Sequence, residues 1–427
     1  MNRRNFIGTA AAGAAAFTVI PRHVMGGRGF IAANDQINLG YIGTGKQSGG
    51  LMKNIAKCKG TRIIAACDVF GAKLDIFVEA AQKENTAAGI NQKIDKYHLY
   101  REMLERKDLD AVVIVTPDHW HAQIAVDAAK SGKDIYCEKP LSLTVAEGRA
   151  MVNATRKYDR VFQTGNMQRS WKEFRQAVEL VRNGYIGEIV EVNVSVGEPV
   201  KHCSLPVQEV PATLDWNEWV GPSLYRGYHE DLAPKVGDTR WAWWRGYRDF
   251  GGGLITDWGA HMFDIVQWAL DMDDSGPVQF IPPSGPAEYG LKMRYANGIV
   301  VNHKKWTDGN AVQFVGKEGR IEVARGSIKT FPNEGLATAE LKSTDKRVYL
   351  STNHYQDWVD AIRNRKKPIS DVEIGHRTAS VCNITNIAYE LQRPLLWNPA
   401  SETFTGDPGA SLMLTRAYRG KWDFNNF

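Results

Sequence analysis

Hydrophobic residues in the first third of the chain come in short unbroken runs. Each is followed by glycine, proline or an acid, and then by a mixed stretch with helical spacing. Ile37–Ile42 is the first run and passes directly into Gly43-Thr44-Gly45. The pattern beyond predicts a helix over 49–57, and Thr61–Cys67 predicts a second strand that ends on Asp68. Residues 110–115 are continuously apolar after Asp110, as in a strand covered on both faces. They run into Thr116-Pro117-Asp118-His119-Trp120-His121, with a helix predicted over 122–130. Asp134–Cys137 is the next strand. Thr144, with Glu147 three residues on, predicts a capping box opening a helix over 144–157, and 161–164 ends the series.

From residue 188 the period changes. Residues 189–196 alternate apolar and polar, the mark of a half-buried strand. Segments near 289–302, 311–315 and 320–323 do the same, with Asn297-Gly298 as a hairpin turn. Helices are predicted over 172–183, 259–270, 353–364 and 374–391. The expected fold is α/β: an N-terminal doubly wound parallel sheet, then a C-terminal α/β domain on a large open sheet, mainly antiparallel or mixed. The expected division is a leader at 1–33, a first domain at 34–165 and a second at 166–427.

Charge changes the picture at one place only. The formal net charge is +5, but residues 1–33 hold Arg3, Arg4, Arg22 and Arg28 and no acid, so the remainder is near neutral. That body carries no electrostatic footprint for nucleic acid. Arg3-Arg4 before an alanine-rich apolar stretch resembles a twin-arginine (Tat) export signal, which implies the Tat machinery as a partner and a periplasmic destination. The stretch is too short for a permanent membrane span, so the mature protein is not expected to be membrane-embedded. The five cysteines suit neither a disulfide framework nor a zinc site, and no metal is expected.

The chemistry gathers at strand ends. Strand, glycine turn, helix, strand and acid make the opening unit of a dinucleotide-binding Rossmann fold. Gly43 and Gly45 supply the tight turn and the close approach to a pyrophosphate, and Ser48 stands where a third glycine usually packs helix on strand. Asp68 is placed to grip ribose hydroxyls and argues for NAD over NADP, since an acid repels a 2′-phosphate. Thr116, Pro117 and His121, with Glu138, are expected on the nicotinamide and ribose side. Glu138-Lys139-Pro140 brings a lysine to the carboxyl end of a strand, where it can share a proton with a substrate oxygen. Gly251-Gly252-Gly253 precedes Thr256 or Asp257 as a helix cap. Asp257 and His261 lie four apart on one expected face, a carboxylate orienting a histidine base, with Asp264 on the same side.

These motifs, in this order, resemble the Gfo/Idh/MocA family of glucose–fructose oxidoreductase and inositol dehydrogenase-like enzymes. The resemblance implies tightly bound NAD(P) and a sugar or polyol substrate. It implies that Lys139 hydrogen-bonds the reacting oxygen, that His261 exchanges the hydroxyl proton, and that Asp257 tunes the pair. It also implies a homodimer or homotetramer built through the open sheet. Trp243, among 13 tryptophans, is a candidate sugar platform, and Arg169 and Asp264 are candidate substrate contacts. Two other readings compete: an NAD-dependent glycosidase of the same fold, and a silent sugar-binding protein, against which intact Lys139, Asp257 and His261 speak.

Overall fold

The computed structural model describes residues 36–420. The expected leader lies outside them. The first sheet contains β1 (Ile37–Ile42), β2 (Thr61–Cys67), β3 (Asp95–Tyr97), β4 (Ala111–Ile114), β5 (Asp134–Cys137) and β6 (Phe162–Thr164). They lie in the order β3-β2-β1-β4-β5-β6, all parallel. This is a doubly wound sheet that reverses between β1 and β4, where ligands bind at the carboxyl ends. Helices α1 (Lys46–Ala56) and α2 (Gly71–Ala87) cover one face; α4 (Asp118–Lys130) and α5 (Val145–Lys157) cover the other, with α3 (Tyr100–Leu104) between.

Local chemistry explains most ends. The Thr144 hydroxyl accepts the Glu147 N–H at 3.1 Å and the Glu147 carboxylate accepts the Thr144 N–H at 3.2 Å, the capping box expected for α5. Helix α4 starts at Asp118, four residues before the prediction, because Pro117 supplies its entry and packing buries His119, Trp120 and His121. Helix α2 escaped the sequence reading: its buried face is only Leu74, Phe77, Ala81 and Asn85.

The second sheet has nine strands in the order β13-β12-β11-β7-β10-β9-β8-β14-β15. They are β7 (Ile189–Ser195), β8 (Gln279–Ile281), β9 (Lys292–Arg294), β10 (Val300–His303), β11 (Ala311–Gly316), β12 (Arg320–Ala324), β13 (Ser327–Phe331), β14 (Leu395–Asn398) and β15 (Thr403–Phe404). Only β7 and β10 pair in parallel, so the sheet is mixed. Asn297-Gly298 turns β9 into β10, with Gly298 at φ +88°. One face packs on α6 (Lys172–Arg182), α9 (Gly259–Ala269) and α11 (Val372–Leu391). The other carries a ladder of Glu191, Asn193, Asn302 and Gln313 linked by amide hydrogen bonds.

Two pieces of the later chain return to the first sheet. Helix α10 (His354–Asn364) buries Trp358, Val359 and Ile362 in its core. Irregular chain around α7 (Trp216–Val220) forms a satellite core with Phe70. There the Gly71 N–H donates to the Thr213 carbonyl at 2.8 Å and the Asp215 N–H to Val69 at 2.9 Å.

Candidate active site

A cleft of about 1020 Å³ runs along the carboxyl ends of the first sheet and under the second domain. Gly43 leaves β1 with φ +89°, and a Cβ there would meet the Val115 backbone at 2.7 Å, so the turn admits only glycine. A Cβ on Gly45 would meet nothing within 4 Å, so its cleft side is open. No side chain caps α1, and its first amides suit an anion. The Ser48 hydroxyl donates to the Gly45 carbonyl at 2.7 Å and is buried, so serine packs where the third glycine would sit. Asp68 accepts from the Thr44 N–H at 2.6 Å, the Thr44 hydroxyl at 2.9 Å and the Phe70 N–H at 2.8 Å. It both fixes the turn and lines the cleft.

Thr116, Pro117 and Glu138 also line the cleft, and the Thr116 hydroxyl is buried without a partner. Burial pushes the Glu138 carboxyl up, against the pull of Lys139 and Gln47. His121 is a correction: it does not line the cleft. Its Nδ1 sits 2.8 Å from the Pro140 carbonyl and its Nε2 3.0 Å from that of Thr116. It therefore stitches together the two loops that carry Thr116 and Lys139, and burial holds its pKa down at about 4.

Lys139, Asp257 and His261 meet in this cleft. Lys139 Nζ donates to the Asp257 carboxylate at 2.6 Å and to its carbonyl at 2.9 Å. An ammonium has three N–H donors, so one remains for a ligand. Burial pushes the Asp257 carboxyl up, but Lys139, Arg245 and Arg325 together hold it below the ordinary carboxylate range. Arg245 Nε lies 3.7 Å from the same oxygen. Burial, then Lys139, Arg325 and His354, keep the His261 imidazole well below its usual pKa, and its Nδ1 has no partner.

The expected Asp257–His261 pair is thus replaced by Asp257–Lys139. Asp257 ends one short helix, α8 (Gly253–Asp257), and His261 belongs to α9, so they do not share a continuous face. Neither Thr256 nor Asp257 caps α9; the Thr256 hydroxyl turns back to the Gly253 carbonyl at 3.2 Å. The glycine triplet serves close approach within the protein. A Cβ on Gly251 would strike the Arg245 backbone at 2.7 Å, and one on Gly253 the Val200 N at 2.6 Å.

Arg169 and Asp264 are likewise corrected. Arg169 is 1% exposed and grips Asp264 through Nε and Nη2, each at 2.8 Å, and Asp273 at 2.9 and 2.7 Å. Neither residue lines the cleft. Two carboxylates take four of the five N–H donors of this fully buried guanidinium, which closes it off from the cleft. Trp243 does line it, with Trp241 and Trp258; Trp241 and Trp243 are 52% and 43% exposed.

The sequence reading singled out neither Asp118 nor, beyond Trp243, the segment 232–245 as a unit. Asp118 lines the cleft between Thr116-Pro117 and α4, hidden within a motif read for its threonine and histidines. Residues 232–245 form a strap across the cleft: Lys46 Nζ donates to the Thr239 carbonyl and lies 4.5 Å over the Trp241 ring. The strap has no helical or strand period to betray it.

Comparison with known proteins decides the family. The NAD-binding Rossmann profile of the Gfo/Idh/MocA oxidoreductases matches residues 37–166, and their C-terminal alpha/beta domain profile matches 172–424. This chain belongs to the Gfo/Idh/MocA oxidoreductase family. Its first domain is accordingly an NAD-binding Rossmann domain. A glycosyl hydrolase family 109 protein of Shewanella woodyi is 29% identical over 154 residues, 36% of this chain and 33% of that protein. Another, from Shewanella baltica, is 30% identical over 205 residues, 44% of each. The Gfo/Idh/MocA chain thus spans less than half the length of these relatives. The solved aldose-aldose oxidoreductase of Caulobacter crescentus, complexed with glycerol, superposes with a TM-score of 0.58 at 18% identity over 84% of this chain and 99% of that one. Scyllo-inositol dehydrogenase of Lactobacillus casei, with NAD(H) and scyllo-inositol bound, gives 0.55 at 18% identity over 84% and 99%. These structural likenesses establish the shared fold. Among the described residues no helix is long and apolar enough to cross a membrane, and no acid, histidine or cysteine cluster is placed to hold a metal.

Proposed function

We propose that this protein is an NAD-dependent oxidoreductase acting on a hydroxyl or carbonyl carbon of a sugar, glycoside or polyol. The observation that carries the reading is Lys139, held by the Asp257 carbonyl and carboxylate with one N–H left for a substrate oxygen. The residues fit the cofactor: the open side of Gly45, the uncapped start of α1 and the orphaned Thr116 hydroxyl all lie along one cleft. NAD(H) supplies the hydride acceptor or donor. The neutral His261 takes the hydroxyl proton in the oxidative direction, while Lys139 donates to the oxygen as charge grows on it. Asp257 pairs with Lys139 and aims it. Trp243 offers an exposed face to the C–H side of a sugar ring.

Asp68 favours NAD over NADP, and the 232–245 strap, anchored to Lys46, supports tight cofactor retention. The twin-arginine leader supports export to the periplasm through the Tat machinery, where a retained cofactor suits a site far from the cytoplasmic NAD pool. The face of the second sheet that carries the Glu191–Asn193–Asn302–Gln313 ladder supports a homodimer or homotetramer. Mass spectrometry of the nucleotide carried by the purified protein, then a sugar and polyol panel followed at the nicotinamide absorbance, tests the reading. Absence of any nucleotide and of any absorbance change across the panel rejects it.

A second reading is an NAD-dependent glycosidase that oxidises, eliminates, hydrates and reduces. It is favoured by the partial matches to glycosyl hydrolase family 109 proteins. Release of nitrophenol from a nitrophenyl glycoside without net NADH selects it.

A further inference from the structure

The turn between β12 and β13 is Arg325-Gly326 alone, because Ala324 pairs with Ser327 and Gly326 takes φ +72°. Such a turn at the end of an open sheet ordinarily runs free over the surface. This one is tied down. The Gly326 N–H donates to the Glu173 carboxylate of α6 at 2.8 Å. Arg325 Nε donates at 3.0 Å to the side-chain carbonyl of Gln168, a residue 1% exposed. The guanidinium lies 4.5 Å from the centre of the Trp258 ring and 5.3 Å from that of Trp171.

These contacts bring Arg325 into the wall of the cleft, with Lys139, Asp257, Trp258 and His261. The Trp258 ring is also 5.8 Å from the His261 ring, so guanidinium and imidazole neighbour the same indole. Three cations line this end of the cleft, and two are matched. Lys139 is 2.6 Å from the Asp257 carboxylate, and Arg245 is 3.7 Å from it. Arg325 makes no ion pair within 4.0 Å among the described residues, and its side-chain hydrogen bond goes to the neutral Gln168.

The residue is exposed, so the N–H groups of Nη1 and Nη2 are open to a ligand. With Nε spent on Gln168, the free edge of the fork is its Nη1–Nη2 end. Two parallel N–H groups there match the two oxygens of a carboxylate. The indoles hold the plane of the fork, so little freedom is lost on binding. The charge also fits: one unmatched guanidinium balances a carboxylate, whereas a phosphate dianion brings twice that charge.

We propose that Arg325 is a substrate-binding residue that pairs with a carboxylate on the sugar, so that the enzyme's substrates are sugar acids such as hexuronates rather than neutral sugars. The proposal rests on the oxidoreductase reading above and names its substrate class. The carboxylate docks on Arg325, and a hydroxyl or carbonyl of the same ring is left to Lys139 and His261. Binding at the charged end thereby orients the reacting end.

The test uses the NAD holoenzyme and pairs each neutral hexose with its own uronic acid: glucose with glucuronate, galactose with galacturonate, mannose with mannuronate. Wild type is expected to favour the acid by ~10–100-fold in kcat/KM, the range for hydrogen bonds to a charged group. In Arg325→Gln that ratio falls to about one, with the loss in KM for the acid. Taking the ratio within a pair removes any effect of the substitution on Asp257 or His261, which serve both sugars alike. Arg325→Lys keeps the charge without the fork, so its ratio lies between. A wild-type preference for the neutral sugar overturns the proposal. So does a ratio that Arg325→Gln leaves unchanged, which would confine Arg325 to packing on Trp171 and Trp258. Glucose 6-phosphate used better than glucuronate overturns the carboxylate assignment.

Calorimetric titration of the holoenzyme with glucuronate and galacturonate separates this proposal from the reading beneath it. Uronate binding that is lost in Arg325→Gln, with no hydride transfer to or from any sugar, keeps the carboxylate site and rejects the oxidoreductase reading. Oxidation of neutral sugars with no uronate binding keeps that reading and rejects the site.

Discussion

Removing the Asp257 charge tests the centre of the site without needing a substrate. Asp257→Asn keeps an oxygen near Lys139 Nζ, now 2.6 Å from the carboxylate, but removes the charge that pairs it. Breaking a fully buried ion pair from one side costs about 3–5 kcal/mol. Both side chains here keep about a sixth of their surface, 15% and 16%, so water reaches them and about 2–3 kcal/mol is the expected loss. Lys139→Met leaves Asp257 with Arg245, 3.7 Å away, and the field of Arg325, and should cost a similar amount. The double variant has no uncompensated charge from this pair, so its loss should fall short of the sum by about 1–3 kcal/mol. Urea unfolding of the four cofactor-stripped proteins measures this coupling. A coupling under about 0.5 kcal/mol, the level of independent sites, refutes the claim that Asp257 exists to hold Lys139.

Lys139→Ala and His261→Ala should each lower turnover by ~10²–10⁴-fold while bound NAD, read by mass spectrometry, is retained; loss of the nucleotide instead would move both residues to cofactor binding. His261 must be neutral to accept a proton, and its pKa is held well below the usual value. Sugar oxidation should therefore remain fully active at about pH 6, where an ordinary histidine of pKa about 6.5 would be mostly protonated; a limb near 6.5 that vanishes in His261→Asn contradicts this. Arg169→Met should destabilise the protein by about 3–5 kcal/mol, because it strands the buried Asp264 charge, yet leave KM for the sugar unchanged. A raised KM in a folded variant would return Arg169 to the substrate site.

Much of the first domain was legible because its cues are local. Gly43 needs positive φ, Thr144 and Glu147 cap each other across one turn, and Asp134–Cys137 delivers Lys139 to the end of a strand that both faces cover. The C-terminal sheet was legible wherever strands alternate, as at β7 and β11, and its mixed pairing follows from long connections that local pattern does not encode. The site was legible as an inventory: Lys139, Asp257 and His261 share the cleft. Their partnership was not, because Lys139 and Asp257 are 118 residues apart and the helix break at Trp258 separates Asp257 from His261. Arg169 failed for the opposite reason. An arginine leaving a nucleotide domain looks like a ligand contact until three-dimensional packing shows Asp264 and Asp273 closing on it. The strap failed because aromatic contacts, not periodicity, hold it.

The long-range pairing also says how the two domains depend on each other. The first domain alone brings the glycine turn, Asp118 and Lys139 to one crevice, but leaves Lys139 without its anion. The second brings Asp257 and His261, and the strap with Arg245 and its aromatic residues. Asp257 satisfies Lys139. The lysine that faces the reacting position is thus completed only when the two domains fold together. Substitutions around Asp257 should therefore change whether any substrate is turned over at all.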